Sequence, residues 1–199
     1  HLPEDKLAAV TGGAVFEDGL GEFSAVREEL RKYYPEDVRI KKIAARAAKM
    51  AQSGQYNYGR CMRRGDTVAA MLALDEFVRQ AISMVYLLNR TYMPYYKWMF
   101  RGMEKFQILP EVAEKIRELS VMGDTSEMWK PPFPPGWNPY VNQLDPRVGR
   151  IEEICQAVVG ELRKQGLTDS RDAFLEAHTW EIMKRIQDPE LKKCHVMEG

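Results

Sequence analysis

The sequence predicts an all-α protein, and three observations lead to this prediction. Apolar residues recur at helical spacing, and no run alternates polar and apolar residues with the period of two typical of strands. Proline, serine and aspartate stand where helical stretches begin, the positions they favour. The 199 residues, 45% of them hydrophobic, suffice for a core without disulfide or metal support. We therefore expect a multi-helix bundle with a strap across it.

The chain is expected to be a single helical domain, because the sequence contains no internal repeat and no obvious linker. Changes in composition nevertheless divide it into four segments. These are an N-terminal segment (1–23), the main helical bundle (24–121), a strap rich in proline and aromatic residues (122–144) and the C-terminal helices (145–199).

The main bundle is predicted to begin with two amphipathic helices. Ser24 can cap the first, which ends near Tyr33, and Pro35 suits the first turn of the second, which ends near Gln52. Many alanines in the second helix allow a neighbouring helix to approach closely. The stretch Ser53–Arg64 is rich in glycine, glutamine, tyrosine and arginine, so we expect a loop there.

Three more helices complete the predicted main bundle. Asp66 can cap a long helix over residues 67–90, whose apolar residues are so widely distributed that we place it at the centre of the bundle. The next two, over residues 94–106 and 110–120, each begin with a proline, which suits the first turn of a helix.

The strap contains too many prolines for a continuous helix. Its prolines are Pro131, Pro132, Pro134, Pro135 and Pro139, and its aromatic residues are Trp129, Phe133, Trp137 and Tyr140. We expect the aromatic side chains to cover the bundle; the alternative is an extended polyproline strand that binds a partner.

The C-terminal helices are predicted from their start signals. Asp145 and Pro146 start a helix that ends near residue 165, and Ser170 can cap another that ends near residue 186. Asp188 then opens a last short turn.

Positive charge is concentrated in the middle of the chain, although the whole chain has no formal net charge. Residues 39–101 contain 12 basic and 3 acidic side chains, whereas both flanking segments are acidic. An acid-free stretch within this region contains Arg39, Lys41, Lys42, Arg46, Lys49, Arg60, Arg63 and Arg64. Such a block repels itself, so we expect it to face a phosphate, a nucleic acid or an acidic partner domain.

The basic residues of the second helix should form one stripe, because their spacings of three and four residues place them on one side. Guanidinium groups bind phosphate through two hydrogen bonds, and tyrosine or amide groups can contact a base. The predicted substrate- or anion-binding residues are Arg39, Lys42, Arg46, Lys49, Tyr56, Tyr58, Arg60, Arg63, Arg64, Asn89 and Tyr95. The alternative is a solvated face with salt bridges to acids elsewhere in the chain.

The corner after the predicted central helix is a second candidate site. Its polar and aromatic residues are Asn89, Arg90, Tyr92, Tyr95 and Lys97. As a site, this corner could hold a nucleotide or a polyol. As structure, it is a helix junction whose tyrosine hydroxyls satisfy buried backbone groups.

Several function classes find no support in the sequence. The three cysteines match neither a disulfide framework nor a zinc site, which predicts a reducing, cytoplasmic setting and no bound metal. No apolar stretch is long enough for a membrane span, so we expect a soluble protein with no membrane partner. We assign no catalytic residue, because phosphate-loop, dinucleotide and serine-elbow motifs do not occur.

Four stretches of the first half resemble a bacterial family. They are Gly13–Gly21, Tyr33–Val38, Gln52–Tyr58 and Leu87–Trp98. The chain resembles the uncharacterised helical domain that follows a nucleotidyltransferase domain in proteins of unknown function. It is also similar in kind to the helical domains of aminoglycoside nucleotidyltransferases and of HEPN-linked minimal nucleotidyltransferases. In those relatives an α/β domain holds the nucleotide and Mg²⁺, while a helical bundle borders the acceptor site.

The resemblance implies a non-catalytic, HEPN-like helical part whose basic surface borders a nucleotide or acceptor cleft. The Gly-Ser turn and spaced aspartates of the catalytic domain do not occur here, so Mg²⁺ and a nucleoside triphosphate are expected only with an upstream domain. The start at His1, with Met50 as the first methionine, fits a chain that belongs to a longer parent.

Three alternatives remain open from the sequence. The chain could be a stand-alone helical module that binds RNA or a protein, or it could form a homodimer through its apolar helices. Arg171 and His178 have a spacing that resembles the arginine and histidine of HEPN ribonucleases, but their flanking residues do not strengthen this reading.

Overall fold

The computed structural model describes residues 2–138 and 142–199, and throughout these residues the regular structure is helical, with no strand. The all-α prediction is therefore confirmed. The α-helices are α1 (Glu4–Thr11), α2 (Glu22–Arg31), α3 (Glu36–Met50), α4 (Gly59–Arg63), α5 (Thr67–Leu88), α6 (Tyr96–Met103), α7 (Pro110–Val121), α8 (Pro146–Lys164), α9 (Leu175–Lys184) and α10 (Pro189–Lys193). A π-helix (Ala51–Tyr58) joins α3 to α4, and a 3₁₀ turn (Ser126–Trp129) follows α7.

Helices α3 and α5 form the centre of the bundle. The alanines of α3 are buried, and their small side chains let α5 and α9 pack closely against this helix. Arg46 Nε donates to Ser83 Oγ at 2.8 Å, and Arg39 Nη1 donates to the Leu87 carbonyl at 3.3 Å. Because later residues of α3 meet earlier residues of α5, the two helices run antiparallel.

The two halves of α5 differ in burial. Every residue from Gln80 to Leu88 is buried. In the first half, Val68, Met71 and Leu72 are 63%, 61% and 62% exposed. The prediction of a central helix therefore holds for the second half of α5, while the first half extends along the surface.

The loop predicted over Ser53–Arg64 is wrong. This stretch forms the π-helix and α4, so helical backbone continues without a break from Glu36 to Arg63. Gly54 lies against the ring of Phe77, and a Cβ added at Gly54 would be only 2.3 Å from a ring carbon. The glycine that suggested a loop permits close packing against α5 instead, and tertiary contacts override the local propensity.

The N-terminal segment contains a helix, α1, that the sequence analysis did not predict. Arg27 of α2 is 5% exposed and donates to the carbonyl oxygens of Val10, Thr11 and Gly12 at 2.7–3.2 Å. The last carbonyls of a helix lack partners within it. A buried arginine from the next helix thus supplies the C-terminal cap of α1.

Aspartate caps are predicted more reliably than serine caps in this chain. Asp66, Asp145 and Asp188 each accept a hydrogen bond from a backbone N–H in the first turn that follows. The predicted caps Ser24 and Ser170 are wrong. Ser24 lies inside α2, and its N–H donates to the Asp18 carboxylate. Ser170 lies in the loop that precedes α9, and its N–H donates to the carboxylate of Glu181 in α9.

A buried carboxylate fastens the strap to the bundle. Asp145 is fully buried, and its Oδ2 accepts from Trp129 Nε1 at 2.8 Å and from the hydroxyls of Tyr58 and Thr125 at 3.0 Å each. The strap, the π-helix and the start of α8 therefore meet at one group, whose desolvation these bonds offset. Pro139 and Tyr140, which belong to the predicted strap, lie outside the described residues.

Candidate functional site: a cation cluster on α3

The basic residues of α3 share one helix but have different surroundings, and Arg39 is the most deeply buried of them. It is 2% exposed. Its guanidinium donates to the Glu36 carboxylate at 2.8 Å, to the Leu87 carbonyl at 3.3 Å and to Gln165 Oε1 at 3.1 Å. Arg39 therefore joins α3 to the ends of α5 and α8. The prediction that Arg39 contacts a ligand is wrong, because these partners use most of the N–H donors of its guanidinium.

Lys41 binds the C-terminal segment of the chain. It is 4% exposed, and its Nζ donates to the carbonyl oxygens of His195 at 2.7 Å and Val196 at 3.3 Å. This ammonium group is satisfied within the fold, so it is not available to an external anion.

The remaining cations of α3 gather with an arginine of α5 into a group that we call the α3 cluster. Its members are Lys42, Arg46, Lys49 and Arg79. Lys42, Arg46 and Arg79 line one cavity of about 600 Å³, together with Glu4 and Tyr95. Lys49 does not line this cavity, but it interacts electrostatically with Arg46 and Arg79.

Positive charge in the α3 cluster is only partly compensated. Burial is the largest cause that lowers the pKa of Lys42, Arg46 and Lys49, and neighbouring cations lower it further. The carboxylates of Glu4 and Glu76 oppose these pKa shifts. Among the described residues, however, no acidic side chain lies within 4.0 Å of the charged nitrogens of Lys42, Arg46 or Lys49. A half-buried surplus of one sign is stabilised by a bound ion of the other sign.

Aromatic rings border the α3 cluster. Lys42 Nζ lies 5.1 Å from the centre of the Tyr34 ring, which gives a cation–π contact. Tyr95 and Tyr96 line the same cavity, are 51% and 61% exposed, and have ring centres 4.5 Å apart. Of the predicted site residues, the structure thus brings Lys42, Arg46 and Tyr95 to one cavity, and Lys49 interacts electrostatically with Arg46.

The arginines of α4 do not line this cavity. Arg60 lies 4.6 Å from the centre of the Tyr56 ring and donates to its hydroxyl. Arg63 and Arg64 are exposed and form no salt bridge with any described residue. The predicted basic surface is therefore divided into a half-buried part on α3 and an exposed part on α4.

Two predicted neutral contacts have structural partners instead. Tyr58 is fully buried, its hydroxyl donates to Asp145, and burial raises its pKa to about 12. Asn89 donates to the Ile108 carbonyl at 3.0 Å and accepts from the Ile108 N–H at 3.3 Å. Their assignment as ligand contacts is corrected, because the polar groups of both side chains are occupied within the fold.

The corner tyrosine Tyr92 also acts structurally. Its hydroxyl donates to the Leu30 carbonyl at 2.9 Å, and its ring packs against Tyr33 and Tyr34 at centre distances of 4.8 and 4.9 Å. This matches the structural interpretation of the corner, in which tyrosine hydroxyls satisfy backbone carbonyls.

Arg171 and His178 do not meet at a common surface. Arg171 is exposed, whereas His178 is fully buried. Its Nδ1 lies 3.0 Å from Thr168 Oγ1, and its Nε2 lies 2.8 Å from the Asp172 carbonyl oxygen. Both ring nitrogens are engaged in fixing the loop before α9.

Sequence reasoning missed Arg79 and Glu4 as neighbours of the basic stripe. Arg79 and Glu76 reach it only because α5 runs antiparallel to α3, and Glu4 reaches it through α1, which was not predicted. Within residues 2–138 and 142–199 no group of three or more His, Cys, Asp or Glu side chains could hold a metal ion. No helix in that part of the chain has the length and apolarity to cross a bilayer.

The fold and the site together define an all-α bundle with a half-buried cation cluster in its first half. A family model described as a domain of unknown function (DUF4037) matches residues 1–99, which contain the whole α3 cluster. Comparisons with curated proteins and with solved structures give no match.

Proposed function

We propose that this chain is the non-catalytic helical part of a nucleotidyltransferase-like protein, in which the α3 cluster binds phosphate groups at a nucleotide or acceptor cleft. The observation that carries the proposal is the convergence of Lys42, Arg46 and Arg79 on one cavity, where Lys42 has no acidic side chain within salt-bridge distance. Arg46 donates to Ser83 at 2.8 Å and to the Gly199 oxygen at 2.6 Å, which leaves further N–H donors of its guanidinium for a ligand. The resemblance of the surrounding segments to helical domains that follow nucleotidyltransferase domains supports the same proposal.

The chemistry of the α3 cluster suits phosphate. Arginine offers paired donors and lysine offers a compact charge, and partial burial strengthens both interactions by lowering the local dielectric constant. Tyr95 and Tyr96 place exposed rings at the rim, where a base can stack. Transfer chemistry, with Mg²⁺ and a nucleoside triphosphate, would belong to an upstream domain of the parent chain, while this chain would bind and orient.

Calorimetric titration of the 199-residue chain with tripolyphosphate tests the proposal. We expect saturable binding that the double variant Lys42→Gln/Lys49→Gln weakens by roughly tenfold or more, because each cation supplies a charge-assisted contact. The matched control Arg63→Gln/Arg64→Gln removes the same charge from α4 and should retain the affinity.

Thermal unfolding separates lost binding from lost structure. Neutralising Lys42 and Lys49 relieves repulsion within the α3 cluster, so the midpoint of this variant should not fall. Equal weakening in both double variants would contradict the proposal, and so would unchanged binding in both.

A second candidate function, a HEPN-like helical module that binds RNA, is favoured by one observation. Arg63, Arg64 and Tyr56 are exposed within one continuous helical stretch and its end, and Tyr56 contacts Arg60. Exposed arginines with an aromatic ring suit single-stranded RNA. This candidate predicts the opposite ranking: the Arg63→Gln/Arg64→Gln variant should lose affinity for a single-stranded RNA, and binding should weaken steeply with salt.

A further inference from the structure

Two adjoining cavities lie beside the corner between α5 and α6. Their volumes are about 400 and 610 Å³, and both are lined by Arg90, Lys105 and Phe106. We call the joined space the corner cleft. Tyr33 lines its first part and Glu36 its second. Each volume falls within the range of roughly 300–1,000 Å³ that is typical of small-molecule sites.

Cations exceed acids in the corner cleft. Glu36 is its single acidic lining residue among those described, and this carboxylate serves two arginines, Arg39 at 2.8 Å and Arg90 at 2.7 Å. Lys105 has no acidic side chain within salt-bridge distance in the described part of the chain. The cleft therefore retains positive charge that a bound anion would neutralise.

The aromatic wall of the corner cleft is held in place by ring contacts. Phe106 meets Tyr86 edge to face, with ring centres 4.9 Å apart, and Tyr33 lies 4.8 Å from Tyr92. The Tyr86 hydroxyl donates to the Met99 carbonyl at 2.9 Å, which anchors that ring. Fixed rings next to cations match a ligand that combines a planar ring with a negatively charged group.

Backbone strain is located at the same cleft. Arg90 has a φ of 51° and Tyr33 a φ of 75°, a region that residues other than glycine rarely adopt and that costs about 1 kcal/mol or more. Glycine could end α5 at position 90 without this strain. The presence of arginine at position 90, despite this strain, is explained if its guanidinium binds a ligand in the cleft.

We propose that the corner cleft binds a nucleoside phosphate, with Arg90 and Lys105 at the phosphate and Phe106 against the base. This site uses none of the four residues of the α3 cluster, so it does not depend on the function proposed above. The sequence analysis offered the corner as a possible nucleotide site. The present proposal keeps that interpretation but assigns binding to the residues that line the cleft and no longer to Asn89 and Tyr95.

The test is an NMR titration of the whole chain with ADP, adenosine and inorganic phosphate, each without added metal. ADP should give saturable shifts of the backbone amides at residues 89–92 and 105–107, with a dissociation constant below about 1 mM. Adenosine and phosphate should each bind at least about tenfold more weakly, because each makes only one of the two kinds of contact.

Three variants distinguish binding from folding. Arg90→Gly and Lys105→Gln should each weaken ADP binding by roughly tenfold, since each removes a charged donor. Arg90→Gly also relieves the backbone strain, so its thermal midpoint should stay equal or rise although affinity falls. Lys184→Gln removes the same charge from an exposed position of α9 and should leave ADP binding unchanged.

Several results would overturn the inference. They are the absence of saturable shifts at about 1 mM ADP, unchanged binding in both Arg90→Gly and Lys105→Gln, or phosphate binding as tight as that of ADP. An ADP response that is lost in Lys42→Gln/Lys49→Gln but kept in Arg90→Gly would also overturn it, while the proposed function of the α3 cluster would stand. The reverse pattern would support the corner cleft, and the tripolyphosphate titration would still decide the function of the α3 cluster.

Discussion

The cations of α3 and those of α4 come from the same acid-free stretch of sequence, yet their surroundings are opposite. On α3, Arg39, Lys41 and Arg46 are buried, and each donates to a carbonyl or hydroxyl oxygen of another segment. At the end of α4, Arg63 and the following residue Arg64 face solvent. The difference shows that a run of like charge does not by itself specify a surface, because long side chains find acceptors wherever another element supplies them.

The largest effect expected from this difference is on stability. Arg39→Met should lower the free energy of unfolding by about 3 kcal/mol, because the Leu87 carbonyl, the Gln165 amide oxygen and the Glu36 carboxylate each lose a charged donor. Chemical denaturation measures this change. Arg63→Met should stay within about 0.5 kcal/mol of the parent, as exposed substitutions do. Equal changes in the free energy of unfolding at the two positions would contradict the distinction between the buried and the exposed cations.

A smaller effect is expected at Lys41, which holds the C-terminal segment. Lys41→Met should cost about 1–2 kcal/mol, because the carbonyls of His195 and Val196 lose a charged donor. Hydrogen exchange should accelerate at residues 195–199 while the α3–α5 seam stays protected. Unchanged exchange in that segment would show that the lysine does not fasten it.

The pH dependence of stability sharpens the comparison further. Hydrogen bonding to Arg39 lowers the pKa of Glu36 from 4.5 to about 2, with a further contribution from Arg90. A carboxyl whose folded pKa is depressed stabilises the fold above its unfolded pKa and loses that contribution as the pH falls through the folded value. Glu36→Gln should therefore be less stable than the parent at pH 7, by below about 1 kcal/mol since the pair is partly exposed.

Acid denaturation followed by circular dichroism provides the measurement. The stability difference between Glu36→Gln and the parent should narrow as the pH falls from 4.5 towards 2. A difference that stays constant over this range would mean that the carboxylate charge does not hold Arg39.

Local signals predicted those parts of the fold that local chemistry determines. Asp66, Asp145 and Asp188 were identified as caps because a carboxylate before a helix can bond only to nearby backbone N–H groups. Helix α1 was not predicted, since its C-terminal partner, Arg27, comes from the next helix. The π-helix was read as a loop because Gly54 is explained only by the ring of Phe77.

The candidate site shows the same division. Helical spacing predicted that the basic residues of α3 share a stripe, and Lys42, Arg46 and Lys49 do contribute to one cluster. It could not predict that Arg39 would form hydrogen bonds with residues at the ends of α5 and α8, or that Arg79 of α5 would belong to the cluster. Both outcomes depend on how helices pack, which the periodicity of one helix does not contain.

The central claim is that α3 and its neighbour Arg79, not α4, supply the anion-binding surface. NMR of the arginine Nε–Hε groups during a tripolyphosphate titration tests it most directly, because each guanidinium reports for itself. We predict progressive, saturable shifts of Arg46 and Arg79, with Arg63 and Arg64 nearly unchanged. Saturable shifts at Arg63 and Arg64, with Arg46 and Arg79 silent, would contradict the claim.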